Sequence, residues 1–257
     1  MRLNLIGADP EVFLMDREGN FVSSIGKFGG SKLNPLPIPG MRSGFAVQED
    51  NVTVEFNIPP SRSAKQFSNF IKSALDFISE KADKMNLTVA VVASALFPKK
   101  ELEDPRAQHF GCEPDFNVWT ERENPRPEAT NKRLRSCGGH VHMSYQGNQI
   151  HLGQLADLFI GCPSIMFDAD TQRRELYGKA GACRLKEYGV EYRVPSNFWI
   201  KSPELTEMVF EQAQAAIAFA DSKRSIRPED VDRIQQCVNN ADQNILRELT
   251  AIYRIPY

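Results

Sequence analysis

Apolar and polar positions alternate with two different periods along this chain, and the change from one to the other sketches its elements. Residues 3–14 read as a strand, and Asp16-Arg17-Glu18-Gly19-Asn20 reads as a hairpin turn before Phe21-Val22. Val52, Val54 and Phe56 alternate with Thr53, Glu55 and Asn57, which predicts a strand with one apolar and one polar face. Pro59-Pro60-Ser61 is expected to end it. The period then becomes helical: Phe67, Phe70, Ile71, Ala74, Leu75 and Ile78 predict an amphipathic helix over 64–85, with Ser63 as N-cap. Leu87 to Leu96 reads as a buried strand, Arg135 to Tyr145 as another, and 183–195 as a hairpin turning near Tyr188-Gly189. Residues 152–173 are helix-like, with an interruption expected at Cys162-Pro163. Two helices, about 203–222 and 228–252, follow, with Pro203 and Pro228 at their starts.

Strands early and helices late predict an α+β fold on an antiparallel sheet rather than a βαβ fold. No linker divides the 257 residues, so one domain is expected, helical from about 203. Residues 26–45, rich in Gly, Pro and Ser and containing Lys27 and Lys32, read as a long surface loop suited to closing over a substrate. The stretch 120–134 reads as polar and flexible. Gly111-Cys112-Glu113-Pro114-Asp115-Phe116 echoes Gly7-Ala8-Asp9-Pro10-Glu11-Val12, without a longer repeat around it.

Composition narrows the classes. A net charge of -2 gives no broad basic field for nucleic acid. No apolar run reaches the length of a membrane span, and Met1-Arg2-Leu3-Asn4-Leu5 lacks the features of a signal peptide. The five cysteines (112, 137, 162, 183, 237) form no Cys-x-x-Cys pair, which predicts reduced thiols in a cytoplasmic setting. There is no Walker loop, no dinucleotide glycine fingerprint and no Gly-x-Ser-x-Gly elbow.

Three segments carry the candidate chemistry. Asp9 with Glu11, His140 with His142, and Glu191 with Arg193 each stand two residues apart, and in a strand such pairs share a face. Carboxylates, imidazoles and arginines on one face suggest divalent metals holding a nucleotide phosphate. Each residue also has a plainer reading. Asp9 and Glu11 could be a solvent-facing edge with a proline, and Glu55 the wet side of an alternating strand. Glu49 and Asp50 could sit in a turn, and His140 and His142 could be hydrogen-bonded core side chains. Arg173, Arg174, Lys179, Arg184, Lys186 and Arg193 could be a solvated basic run, with Glu191 and Arg193 a simple ion pair. Gly138-Gly139 tips the histidines toward function, because glycines let a ligand or another backbone come close.

Taken together, the segments resemble the glutamine synthetase / glutamate–cysteine ligase superfamily, and most nearly its phage-type carboxylate–amine ligases. Gly7-Ala8-Asp9-Pro10-Glu11-Val12-Phe13-Leu14 is similar to the family's first metal-binding strand. Cys137-Gly138-Gly139-His140-Val141-His142-Met143-Ser144 resembles its Gly-rich strand ending in His-x-His-x-Ser, and Glu191-Tyr192-Arg193-Val194-Pro195 its Glu-x-Arg-x-Pro strand. Tyr177-Gly178-Lys179-Ala180-Gly181 through Ser196-Asn197-Phe198-Trp199 looks like the phage group specifically, so the resemblance runs from about residue 5 to 200.

The resemblance implies a curved antiparallel sheet whose concave face carries two or three Mg²⁺ or Mn²⁺ ions and ATP. Asp9, His140 and Glu191 would hold one metal; Glu11 and Glu55 would hold the other, with Asp50 or Glu49 as its third ligand. His142, Arg184, Lys179 and Arg174 would face ATP and its phosphates, and Arg193 would lie where an acyl phosphate forms. The implied catalytic residues are Glu55, Arg193 and Arg184. The implied activity joins a carboxylate to an amine, small or peptide, in the cytoplasm of a host cell if phage-encoded, without nucleic acid or membrane. A homo-oligomer is possible. The short chain puts ring assembly and an ammonia pocket in doubt, so the amine is expected to be larger than ammonia. Two rivals remain: a guanidino-type phosphotransferase of the same fold, and a metal- and nucleotide-binding protein without turnover.

Overall fold

The fold is taken from a computed structural model, which describes residues 4–108, 115–125, 131–222 and 224–257. The first four residues of the 111–116 echo, Cys112 among them, and part of the 120–134 stretch lie outside the described residues.

The strands, in chain order, are β1 (Ile6–Met15), β2 (Phe21–Val22), β3 (Leu36–Pro37), β4 (Ala46–Asp50), β5 (Thr53–Ser61), β6 (Thr88–Ala90), β7 (Ser94–Leu96), β8 (Phe116–Asn117), β9 (Arg122–Glu123), β10 (Leu134–Ser136), β11 (Gly139–Ser144), β12 (Ala182–Lys186) and β13 (Gly189–Tyr192). The main sheet has the order β3-β4-β5-β1-β11-β13-β12-β8-β9, with β2 and β6 also paired to β1. Its described pairings are all antiparallel. β7 and β10 form a separate two-stranded sheet. The expected α+β class with an antiparallel sheet is what the structure has.

One face of the main sheet is apolar and dry. Ala8, Val12, Val54, Phe56, Val141, Met143, Val190 and Tyr192 belong to a core that also takes side chains from α1 (Ala64–Asp83). Ser63 caps α1 by accepting a hydrogen bond from the Gln66 amide, satisfying one of the donors left over at a helix start. The same core includes residues from the C-terminal helices and extends from Ile6 to Ile255. A second cluster, built on Phe13, Val52, Phe97 and Cys137, lies at one end, where Phe13, Phe21 and Phe97 pack ring against ring.

Several elements depart from the expected boundaries. β5 continues through Pro59-Pro60 to Ser61, because Ile58 and Ser61 still register against β1 across a bulge. The single strand expected over 87–96 is split between two sheets as β6 and β7. The one expected over 135–145 is likewise split into β10 and β11, with Cys137 turned aside to donate its amide to the Ala93 carbonyl. The helical region before 173 consists of Gln149–Ala156, a π-helical turn Asp157–Gly161 and Cys162–Ser164, followed by a separate helix Thr171–Leu176. The final helix is two, Val231–Asn240 and Gln243–Tyr253, parted where Ala241 adopts a left-handed conformation. No helix among the described residues is long and apolar enough to cross a membrane.

Candidate functional site

Register, more than any single motif, assembles the polar face. Directly paired residues of antiparallel strands share a face, and here Gln48 pairs Glu55, Glu55 pairs Glu11, Asp9 pairs His140, and Glu191 pairs both His142 and Arg184. The i, i+2 rule carries the set on to Asp50, Arg193 and Lys186. Two clusters result. Ligand atoms of Asp9, His140 and Glu191 lie within 4.8 Å of one another, and so do those of Glu11, Asp50 and Glu55.

Asp50 and Glu49, the two candidates for the third position, face different ways. Asp50 joins Glu11 and Glu55. The Glu49 carboxylate instead accepts hydrogen bonds from the amides of Gly26, Phe28 and Gly29 at 2.9, 2.9 and 2.6 Å. It therefore ties down the start of the 26–45 loop. Lys81 adds to this by donating to the Phe28 carbonyl and lying over the Phe28 ring.

The electrostatics of the two clusters differ. In the first, Asp9 Oδ1 lies 3.2 Å from His140 Nδ1 and 3.0 Å from His142 Nε2. Burial favours the protonated form of Asp9, but the charge of His142 and the hydrogen bonds of both imidazoles outweigh it, holding the carboxyl well below its ordinary range. Burial and the Asp9 charge likewise push Glu191 up, yet Arg193, His140 and His142 bring it down to about 2. Arg193 Nη1 donates to Glu191 at 2.5 Å, Lys186 Nζ lies 2.8 Å from it, and Arg184 Nη1 donates to it at 3.3 Å. His140 is shifted down, first by burial and then by Arg193, which favours the neutral imidazole, the form able to ligate a metal.

The second cluster has few cations. Burial, then the Asp50 charge, pushes Glu11 up to about 8, despite a 2.6 Å hydrogen bond from the Gly138 amide. Burial and the charges of Asp9, Glu11 and Asp50 raise Glu55 well above its ordinary value. The expectation that Glu55 faces water is overturned: it is 8% exposed, next to Gln48, whose amide donates to it at 2.8 Å.

Carboxylate oxygens with one imidazole, and no thiolate, fit Mg²⁺ or Mn²⁺ better than a soft ion. Buried carboxylates crowded within ligating distance, as in the second cluster, are a further sign that a cation completes the site.

The two glycines before His140 serve close approach of the chain itself. A Cβ on Gly138 would stand 2.3 Å from the His140 ring, and one on Gly139 would stand 2.3 Å from the Ser196 carbonyl oxygen. His142 Nδ1 pairs with the Tyr188 hydroxyl at 2.6 Å, with the rings stacked at 5.8 Å. Beside them opens a largely apolar cavity of about 350 Å³, walled by Gly7, Asn57, Ile58, Pro60, Ser144 and Tyr188. A cleft on the other side is lined by Glu11, Asp50, Asp115, His140, Arg173 and Arg193.

Arg174 and Lys179 are not brought to this group. Arg174 is buried and donates to the Asp168 carbonyl, while Lys179 is exposed. The sequence reading missed three residues. Lys186 falls on the site face by the same two-residue spacing that selects Arg184. Asp115, inside the flagged echo, pairs with Arg193 Nε at 2.7 Å. Arg173 donates to the carbonyls of Cys137, Val194 and Arg193, clamping both motif strands, and no local pattern marks that role.

Residues 130–254 match the model of the family described as phage phiEco32-like COOH.NH2 ligase-type 2. The match covers just under half of the chain and points to the phage-type carboxylate–amine ligase family that the motifs resemble. It also reaches the C-terminal helices, beyond the span the motifs covered, and begins after β1. No curated protein sequence matches the chain. Among solved structures, GmaS in a complex with ADP is 9% identical, aligned over 98% of this chain and 68% of its own, with a TM-score of 0.45. A glutamine synthetase from Plasmodium falciparum is 12% identical, aligned over 85% of this chain and 52% of its own, with a TM-score of 0.43.

Proposed function

We propose that the family likeness over residues 130–254 extends to activity, and that the protein is an ATP-dependent carboxylate–amine ligase acting through an acyl phosphate. One observation carries the reading: two carboxylate clusters face the same side of one sheet, and one of them is ringed by Arg184, Lys186 and Arg193. The whole chain, 1–257, is read as the catalytic unit, supported by a core that includes side chains of both the first strand and the last helix.

Asp9, His140 and Glu191 would hold one divalent ion, and Glu11, Asp50 and Glu55 another. Such ions supply charge neutralisation at the phosphates and at the reacting carboxylate. The chain's own groups do the rest. The apolar cavity beside His142 and Tyr188 would take the nucleotide base, which directs the phosphates toward the first cluster. Arg184 and Lys186 would bind phosphate oxygens there. Arg193, fixed by Asp115 and Glu191, would present a fork to the oxygens of the carboxylate as it attacks the γ-phosphorus, and to the acyl phosphate that forms. Glu55, as a carboxylate of the second cluster, would stand beside the incoming amine to take its proton. The His142–Tyr188 hydrogen bond leaves His142 Nε2 directed at Asp9, so His142 orients a ligand as well as bordering the base.

The test is ATP-dependent hydroxamate formation across a panel of carboxylic acids with Mg²⁺ or Mn²⁺, since hydroxylamine traps an acyl phosphate whatever the natural amine. A hydroxamate seen with one acid and lost in Glu191→Ala is the expected result. ATP bound tightly with no hydroxamate from any acid would overturn the reading.

A further inference from the structure

Behind the sheet, on the face away from the two clusters, sits a carboxylate that the reaction does not touch. Asp157 is fully buried and begins the π-helical turn Asp157–Gly161. Such turns interrupt the regular ladder and recur where a side chain must be aimed. The Asp157 Oδ1 accepts from the Tyr192 hydroxyl at 2.7 Å, and Oδ2 accepts from Trp119 Nε1 at 2.6 Å. The Gly181 amide is a third donor, and burial keeps the carboxyl up near about 7 in spite of all three. A buried carboxyl is a costly way to fill a core, and a well-packed aliphatic side chain would serve packing better.

What the three donors share is their position in the chain. Tyr192 is the residue between Glu191 and Arg193, with its side chain on the opposite face. Gly181 precedes β12, which carries Arg184 and Lys186. Trp119 lies four residues after Asp115, just beyond β8, which pairs with β12 through Phe116 and Asn117. Gly161 keeps this arrangement possible, since a Cβ there would lie 2.4 Å from the Tyr192 hydroxyl.

We propose that Asp157 is a positioning residue: by three hydrogen bonds it fixes, from behind, the segments that carry Asp115, Arg184 and the Glu191–Arg193 pair, and so sets the geometry of the first cluster. The inference rests on the metal-binding reading above, which is why its test includes the second cluster as an internal control. Glu11, Asp50 and Glu55 lie on β1, β4 and β5, whereas the three hydrogen bonds to Asp157 come from Tyr192, Trp119 and Gly181.

The experiment is Mn²⁺ binding, by titration calorimetry and electron paramagnetic resonance, to the wild-type chain, Asp157→Asn and Tyr192→Phe. Glu55→Gln identifies which of two binding events belongs to the second cluster. Asp157→Asn leaves an amide NH₂ facing one of the donors; Tyr192→Phe removes a single hydroxyl and keeps the ring in place, so it reports even if the first variant does not fold. The expected result is a fall of about tenfold or more in Mn²⁺ affinity at the Asp9–His140–Glu191 site, with the other site within about twofold. Equal weakening of both sites, or no change at either in folded variants, overturns the tether while leaving the metal reading intact. A wild-type protein that binds no Mn²⁺ overturns both.

Discussion

Replacing Glu11 by glutamine should make the metal-free protein more stable, not less, at alkaline pH. The ordinary expectation for a buried residue that accepts a 2.6 Å hydrogen bond from Gly138 is that substitution costs stability. Here the carboxylate also faces Asp50 and Glu55, and the folded state holds its proton up to about 8, against an ordinary value of 4.5. For an acid whose folded pKa is raised, the folded state binds more protons between the two values, so stability falls as pH climbs from 4.5 to about 8 and then levels off. At about 1.4 kcal/mol per pH unit, that window amounts to at most roughly 5 kcal/mol, part of it the repulsion between Glu11 and Asp50. Glutamine keeps an oxygen for the Gly138 amide, places an NH₂ donor among the remaining carboxylates, and has no charge to desolvate. The assay is urea unfolding in the presence of a chelator at about pH 5 and about pH 9. The two proteins should lie within about 1 kcal/mol at the acidic pH and diverge by roughly 3–5 kcal/mol at the alkaline one, with glutamine the more stable. A variant that unfolds at lower urea than wild type at alkaline pH would refute the reasoning. The same substitution should remove the second Mn²⁺ site, so the stabilisation comes at the expense of the site.

Two other perturbations separate neighbours that sequence alone treats as equivalent. Asp50→Asn should abolish one Mn²⁺ site with little change in unfolding, whereas Glu49→Gln should keep both sites and cost about 1–3 kcal/mol, measured by urea unfolding, because three loop amides lose a charged acceptor. Tyr188→Phe should leave both Mn²⁺ sites in place and weaken nucleotide binding by roughly 3- to 10-fold in a fluorescence titration, as His142 loses the partner that fixes its ring.

Much of the site was legible because a sheet obeys a period of two. Asp9 with Glu11, His140 with His142 and Glu191 with Arg193 needed only that rule, and the structure brings all six to one face. The rule also had more to give than was taken from it: it would have selected Lys186 with Arg184, and it separates Asp50 from Glu49 once Gln48 is seen to pair with Glu55. Glu55 needed the family resemblance, because alternation identifies two faces but does not say that the polar one is covered. The pairing of β7 with β10, at a sequence separation no window detects, brings Arg135 and Ser136 to the cleft that Glu11 and Asp50 also line. The same long-range pairing divided two expected strands, at Cys137 and after Ala90, where the chain leaves one sheet for another. Arg173 and Asp157 act through backbone carbonyls and through donors on distant segments, so their roles exist only in three dimensions.

β1 supplies one carboxylate to each cluster, Asp9 to the first and Glu11 to the second, with Pro10 alone between them. Two residues of strand span roughly 6.6 Å, so the spacing of the two centres is gauged by a piece of covalent chain, held on both sides by β5 and β11. No sliding of helices and no swing of the 26–45 loop can stretch that gauge. On the proposed ligase reading, any choice among acids and amines falls to the walls around a fixed pair of points rather than to the points themselves.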